Sequence, residues 1–291
     1  MKIHAFSQLG FLLLCLVFTP LSYAIDLIKM RPIFYSGDPK TSYKYQLLDL
    51  LLKTTQDKYG PYQISLTKTI NSQKRDINLL NSGAINTFIS MTSQAREEAM
   101  QAIPYPVFKG LYGYRVFLIR DIDQAKFTRI KAIEELKKLI AVQGTHWPDL
   151  NILKSNGFNV ESTSHHKSLY KMLQYGRVDY FPRGIHEPWR ELNDRPEMAL
   201  AVEKSLMLYY PAPGYIFVDK NNTRLANRFN EGFKKVIESG EFDRFFNQHP
   251  QIIEMKRQAN IENRTLFELH NPLLSPLTPL GDDRLWYRID N

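Results

Sequence analysis

Residues 84–120 read AINTFISMTSQAREEAMQAIPYPVFKGLYGYRVFLIR, and the organisation of the chain follows from them. Ile85, Phe88 and Ile89 are β-rich enough for a buried strand. Ser93 then stands where a helix N-cap belongs, where its hydroxyl accepts a backbone N–H, and Glu97 and Glu98 suit the positive end of the helix dipole. Proline cannot continue a helix, so the Ile103-Pro104-Tyr105-Pro106 run is read as its end. Tyr112–Arg120, aromatic and β-branched, reads as a second, long strand. Strand, polar turn, short helix, proline stop and strand form a corner suited to an anion, with Arg96 as its cation.

Upstream, residues 1–24 read as an export leader: Lys2, an apolar Leu9–Phe18 run, Pro20, then Ser22-Tyr23-Ala24 at the cleavage positions. The apolar run is too short for a comfortable membrane span, so an exported, periplasmic protein cleaved after Ala24 is expected. Cys15 lies in that leader and is the sole cysteine, so residues 25–291 must rely on a core rather than on disulfides. The net charge of +8 is spread without a polybasic run, which fits a solvated basic surface or an anionic small ligand better than nucleic acid.

The segment before residue 84 alternates. Ile25–Phe34 is strand-like, and Tyr45, Leu48, Leu51, Leu52 and Thr55 share a helix face. Tyr62–Leu66 alternates as a strand, and Gln73–Leu80 is helical before Gly83. A β-α-β-α-β-α order implies a mostly parallel sheet. After Arg120 the pattern restarts as a smaller α/β unit. It has a helix at Ile130–Ile140, strands near Leu139–Val142, Phe158–Glu161 and Val178–Phe181, and helices at Leu150–Leu153 and Leu169–Leu173. Tyr215–Val218 mirrors Tyr114–Ile119, helices follow at Leu225–Val236 and Phe242–Phe246, and residues beyond about 262 are proline-rich.

A self-contained α/β unit flanked by two strands predicts an α/β, two-lobed fold, the second lobe inserted into the first through two crossing strands. The expected division is 25–119 plus 212–261 for lobe 1, 120–211 for lobe 2, and 262–291 as an extension packing on lobe 1. Ligands of such folds sit between the lobes.

Four motifs follow in order: MTSQAR ending at Arg96, Tyr105-Pro106, ELKKLIAVQGT ending at Gly144-Thr145, and Gly176-Arg177-Val178-Asp179. That order resembles the amino-acid-type periplasmic solute-binding proteins, the capture components of ABC importers. The resemblance covers about residues 26–250. It implies that Arg96 grips a ligand carboxylate with its guanidinium fork. The hydroxyl the family carries five residues before that arginine is Met91 here, so Thr92 or Ser93 would substitute. The acid expected for a ligand ammonium falls on Gly184, beside Arg183 and three before Glu187. Without a matched acid, Arg96 and Arg183 point to an anionic or non-amino-acid ligand, though Arg183 also suits a structural salt bridge. Thr145, Tyr35 and Trp147 complete the candidate ligand residues, each with a bland alternative as turn hydroxyl or core cover.

An enzyme is unsupported. His146, His165, His166 and His186 show no metal-ligand spacing, and GxSxG elbow, nucleophilic cysteine and phosphate loop are all missing from residues 25–291. No cofactor or metal is expected. The reading is a monomeric binding protein whose closed form is recognised by a membrane importer or, alternatively, by a membrane sensor.

Overall fold

The computed structural model describes residues 25–30, 38–67 and 73–289. The leader, Tyr35 and the rest of the first expected strand after Met30 lie outside those residues. Twelve strands are described: β1 Asp26–Met30, β2 Tyr62–Leu66, β3 Thr87–Met91, β4 Gln101–Ile103, β5 Tyr114–Arg120 and β6 Ile140–Gly144. They continue as β7 Asn159–Thr163, β8 Phe181–Gly184, β9 Leu200–Val202, β10 Leu206–Tyr209, β11 Gly214–Val218 and β12 Thr265–Glu268.

The first sheet has the order β2-β1-β3-β11-β4. β1 runs parallel to β2 and β3, as expected, and the antiparallel β11 is inserted between β3 and β4. The second sheet is β12-β10-β5-β8 with β9 also on β5, and β6 and β7 pair in parallel beside it. The fold is therefore α/β and two-lobed. The chain leaves the first sheet after β4, enters the second at β5, and returns between β10 and β11. Each strand expected to cross lies wholly in one sheet: Tyr114–Arg120 in the second, Gly214–Val218 in the first. The crossings are the irregular passages 104–113 and 210–213.

Local chemistry explains most elements. The Tyr43–Thr54 helix buries Tyr43, Leu47, Leu48, Leu51 and Leu52, and Ser42 caps it by accepting the Tyr45 N–H. Its buried face meets the Thr223–Glu238 helix, which contributes Phe229, Phe233 and Val236 to the same core. All four residues Thr87–Ser90 of β3 are buried, as a central strand must be.

The helix carrying Arg96 spans only Gln94–Ala99, ending before the prolines expected to stop it. Met100 is already extended (φ −140°, ψ 166°), because Gln101–Ile103 is drawn onto the free edge of β11. Edge pairing overrode the local helical pattern. Similarly, Leu111–Gly113 is a 3-10 turn rather than the start of β5.

The two passages touch. A Cβ on Gly113 would lie 2.2 Å from the Tyr210 carbonyl oxygen, and the Tyr210 N–H donates to the Gly113 carbonyl at 3.3 Å. That backbone has no flexible end to swing away. Gly113→Ala is expected to cost roughly 1–3 kcal/mol, the ordinary range for overpacking, read as a lowered melting temperature.

Arg228 is fully buried and ties the first half together. It donates to Leu52 O at 3.0 Å, Gly60 O at 2.9 Å and Thr55 Oγ1 at 3.2 Å, and pairs with Asp26 at the head of β1. Arg228→Met would leave these acceptors facing an apolar chain. The expected loss is about 3–5 kcal/mol, measured by chemical denaturation; a change within 1 kcal/mol, about what an exposed pair is worth, would contradict it.

Candidate functional site between the sheets

Two buried guanidinium groups stand on strands of the second sheet. Arg115, near the start of β5, is buried. Its Nε donates to Asp149 Oδ1 at 2.7 Å and to the Tyr210 hydroxyl at 2.8 Å, and its Nη1 bonds the Tyr112 carbonyl. Its Nη2 lies 3.7 Å from the Met91 sulfur, on the last residue of β3. The Tyr210 hydroxyl donates to the same Asp149 oxygen. Asp149 stands in the first turn of the Pro148–Ser155 helix, where proline and an acid both suit the start. Burial disfavours both charges, yet each holds the other ionised: Asp149 titrates below, and Arg115 above, its ordinary range.

Arg183, on β8, is the second buried guanidinium. It bonds Glu191 through Nε at 2.9 Å and Nη2 at 2.5 Å, and Glu187 through Nη2 at 2.7 Å. Its Cζ lies 4.8 Å from the ring centres of both Trp147 and Phe181. Glu187 also accepts the Gly184 N–H at 2.8 Å. Arg183 therefore has two matched acids, which corrects the expectation of a cleft with none. Glu187 sits four residues on, and Glu191 another helical turn beyond, once Pro188 starts the Pro188–Asn193 helix.

On the first-sheet side, Arg96 bonds Ser90 Oγ at 2.9 Å and the Met91 carbonyl. Met91 is thus met by Arg96 from the helix that follows β3 and by Arg115 from β5 of the second sheet. Thr92, buried, donates to Glu97 Oε1 at 2.6 Å. Ser93 takes the N-cap position, but its side chain makes no cap bond; its carbonyl accepts the Arg96 and Glu97 N–H groups instead. Thr145 is exposed after β6, its N–H bonded to Thr163 O at 3.2 Å, and Trp147 is half-buried against Arg183. Arg96, Thr92 and Ser93 gather at the end of β3, while Trp147, Arg183 and Glu187 gather on the second sheet. Tyr35 lies outside the described residues.

Several residues were not singled out from the sequence: Arg115, Asp149, Tyr210, Glu191, Tyr112 and Lys44. The Lys44 ammonium lies 5.8 Å over the Tyr112 ring, which also packs on Phe108 at 4.6 Å and His186 at 4.7 Å. His186 is exposed, with its ring against Tyr112 and Phe108. Crowding by protein around the ring, then Lys44, Arg115 and Arg183, oppose its protonation. Pro148-Asp149 at a helix start was a usable signal; nothing in sequence pairs Asp149 with Arg115. Among the described residues no three His, Cys, Asp or Glu side chains could hold a metal, and no helix is long and apolar enough to cross a membrane.

No family model matches the sequence, and no curated protein matches it. Solved structures do. An ancestral arginine-binding protein bound to arginine superposes with a TM-score of 0.53 at 14% identity, covering 78% of this chain and 97% of its own. An arginine-specific periplasmic binding protein of Salmonella typhimurium gives 0.52 at 14%, covering 80% and 98%. A histidine kinase sensor domain with similarity to periplasmic binding proteins gives 0.51 at 13%, covering 78% and 96%. The chain has the periplasmic-binding-protein fold. That agreement is one of architecture: at such identities it carries the fold and leaves the ligand to the residues above.

Two outcomes follow from the charges. Arg183→Met would strand the buried Glu191, and should cost about 3–5 kcal/mol even without ligand. Glu187→Gln, half-exposed, should leave the melting temperature nearly unchanged. His249 is buried and for that reason sits below the ordinary imidazole range. Below about pH 6.5 the unfolded chain takes up a proton that the folded imidazole refuses, so stability falls as pH drops. The melting temperature should fall below that pH, and less steeply in His249→Gln.

Proposed function

We propose that the chain is an exported solute-binding protein. It captures a small anionic or amino-acid-like ligand between its lobes and presents it to an ABC importer in the periplasm, acting as a monomer and not as an enzyme. The observation carrying this reading is the meeting at Met91 of Arg96, from the helix after β3, with Arg115, from the second sheet, and the half-exposed Glu187 just beyond β8. In this reading Arg96 holds a ligand carboxylate, Glu187 meets a ligand ammonium, and Thr92, Ser93, Thr145 and Trp147 line the remainder. Arg183, shared between Glu191 and Glu187, aims Glu187 rather than serving as a free anion anchor, and the trio keeps one negative charge, which favours an amino-acid-like zwitterion over a simple dianion. Closure is stabilised by the ligand's greater affinity for the closed form.

A second reading is that a membrane sensor reads the closed form. The likeness to a histidine kinase sensor domain supports it, because the same fold serves that setting too.

Thermal-shift screening of residues 25–291 against amino acids, dicarboxylates, short peptides and phosphorylated metabolites tests the binding reading. A ligand at a hundredfold over its Kd adds about 2.7 kcal/mol of stability. The expected result is a hit among amino-acid-like compounds, lost in Arg96→Ala. A hit that survives Arg96→Ala, or a panel without any hit, would sink this assignment of the site.

A further inference from the structure

Residues 265–289 do not pack on one half of the molecule. They begin as β12, running parallel to β10 at the edge of the second sheet, and the Leu269 N–H extends that ladder to Tyr209 O at 2.7 Å. His270 exchanges two bonds with Asn156, at the end of the Pro148–Ser155 helix: its carbonyl accepts from Nδ2 at 2.7 Å and its N–H donates to Oδ1 at 3.1 Å. Asn271, buried, donates to Pro211 O at 2.7 Å, on the passage returning to the first sheet. Two residues later Leu273 O accepts the Gln94 N–H at 3.4 Å, one of the orphan donors in the first turn of the helix carrying Arg96.

The other end of the segment seizes the outgoing passage. Lys109 (φ 45°) and Gly110 (φ 76°) are consecutive left-handed residues, and the Trp286 ring packs on Gly110, 2.5 Å from where a Cβ would be. The indole N–H donates to Pro279 O at 2.7 Å, which fixes the ring from its own side of the loop. The Tyr287 N–H donates to Lys109 O at 2.6 Å, and Lys256 stands 4.0 Å over the Tyr287 ring. Between these anchors Pro272, Pro276 and Pro279 restrict φ, so the strap is stiff rather than slack. One segment thus grips the second sheet, both passages and the arginine-bearing helix.

We propose that this C-terminal strap is a hinge clamp: it sets the resting angle between the lobes, and thereby the fraction of protein competent to bind. This rests on the two-lobed binding reading above. A ligand that closes the lobes must turn the passages at Lys109-Gly110 and at Pro211 against these anchors. The clamp's strength therefore enters the apparent affinity through the competent fraction, although no strap residue need touch ligand.

The test needs no ligand. Residues 25–291 contain no cysteine, so spin labels at Lys53→Cys on the first half and Lys171→Cys on the second report the interlobe distance. Both positions are exposed. The intact strap should give one narrow distance distribution. Asn271→Ala and Trp286→Ala, made separately, should each broaden or shift it while melting stays cooperative. Unchanged distributions in both variants would overturn the proposal. So would loss of cooperative melting in the milder Asn271→Ala, which would assign the strap to folding instead. A changed distance with no hit in the ligand screen would uphold the clamp while the binding reading fails.

Discussion

A guanidinium cannot be buried without acceptors for its N–H groups, and Arg115 is buried where the two lobes meet. Its acceptors come from separate parts of the chain: Tyr112 from the outgoing passage, Tyr210 from the returning one, Asp149 from a helix start of the second lobe. Met91, the last residue of the first sheet's central strand, closes the set. Satisfying one cation therefore fixes how four segments converge, and the candidate site is built around that convergence. The closeness of Gly113 to Tyr210 is the steric side of the same constraint.

Charge matching also decides which groups remain for a ligand. Arg115 is consumed by Asp149 and Arg183 by Glu191 with Glu187, so neither guanidinium enters the cleft as a bare cation. What these pairs do is orient carboxylates and stack rings. The aromatic sequence Phe108, Tyr112, His186 carries the first lobe's core into the junction, at ring separations of 4.6 and 4.7 Å. Cations crowd the imidazole in that place and oppose its protonation.

Much of the fold was legible along the chain. β3, β5 and β11 are apolar runs because they are buried on both faces, and the helices beginning at Tyr43 and Thr223 carry clear apolar stripes. The unseen strands were β4, β9, β10 and β12, each of three or four residues. So short a strand has no period to read; it exists because a neighbour's edge is unpaired. That is also why the Arg96 helix stops at Ala99 and not at the prolines.

By itself the sequence determined the α/β alternation, the two-part organisation and the short helix that carries Arg96 after β3, since these depend on local periodicity and on residue type. The tertiary structure alone decided the partners. Arg183 lies eight residues from Glu191, Arg115 lies 34 from Asp149 and 95 from Tyr210, and Trp286 seats on Gly110 from the far end of the chain. Pairing of buried charges and seating of a ring on a glycine are selected by the desolvation and packing of the whole fold. No local pattern encodes either.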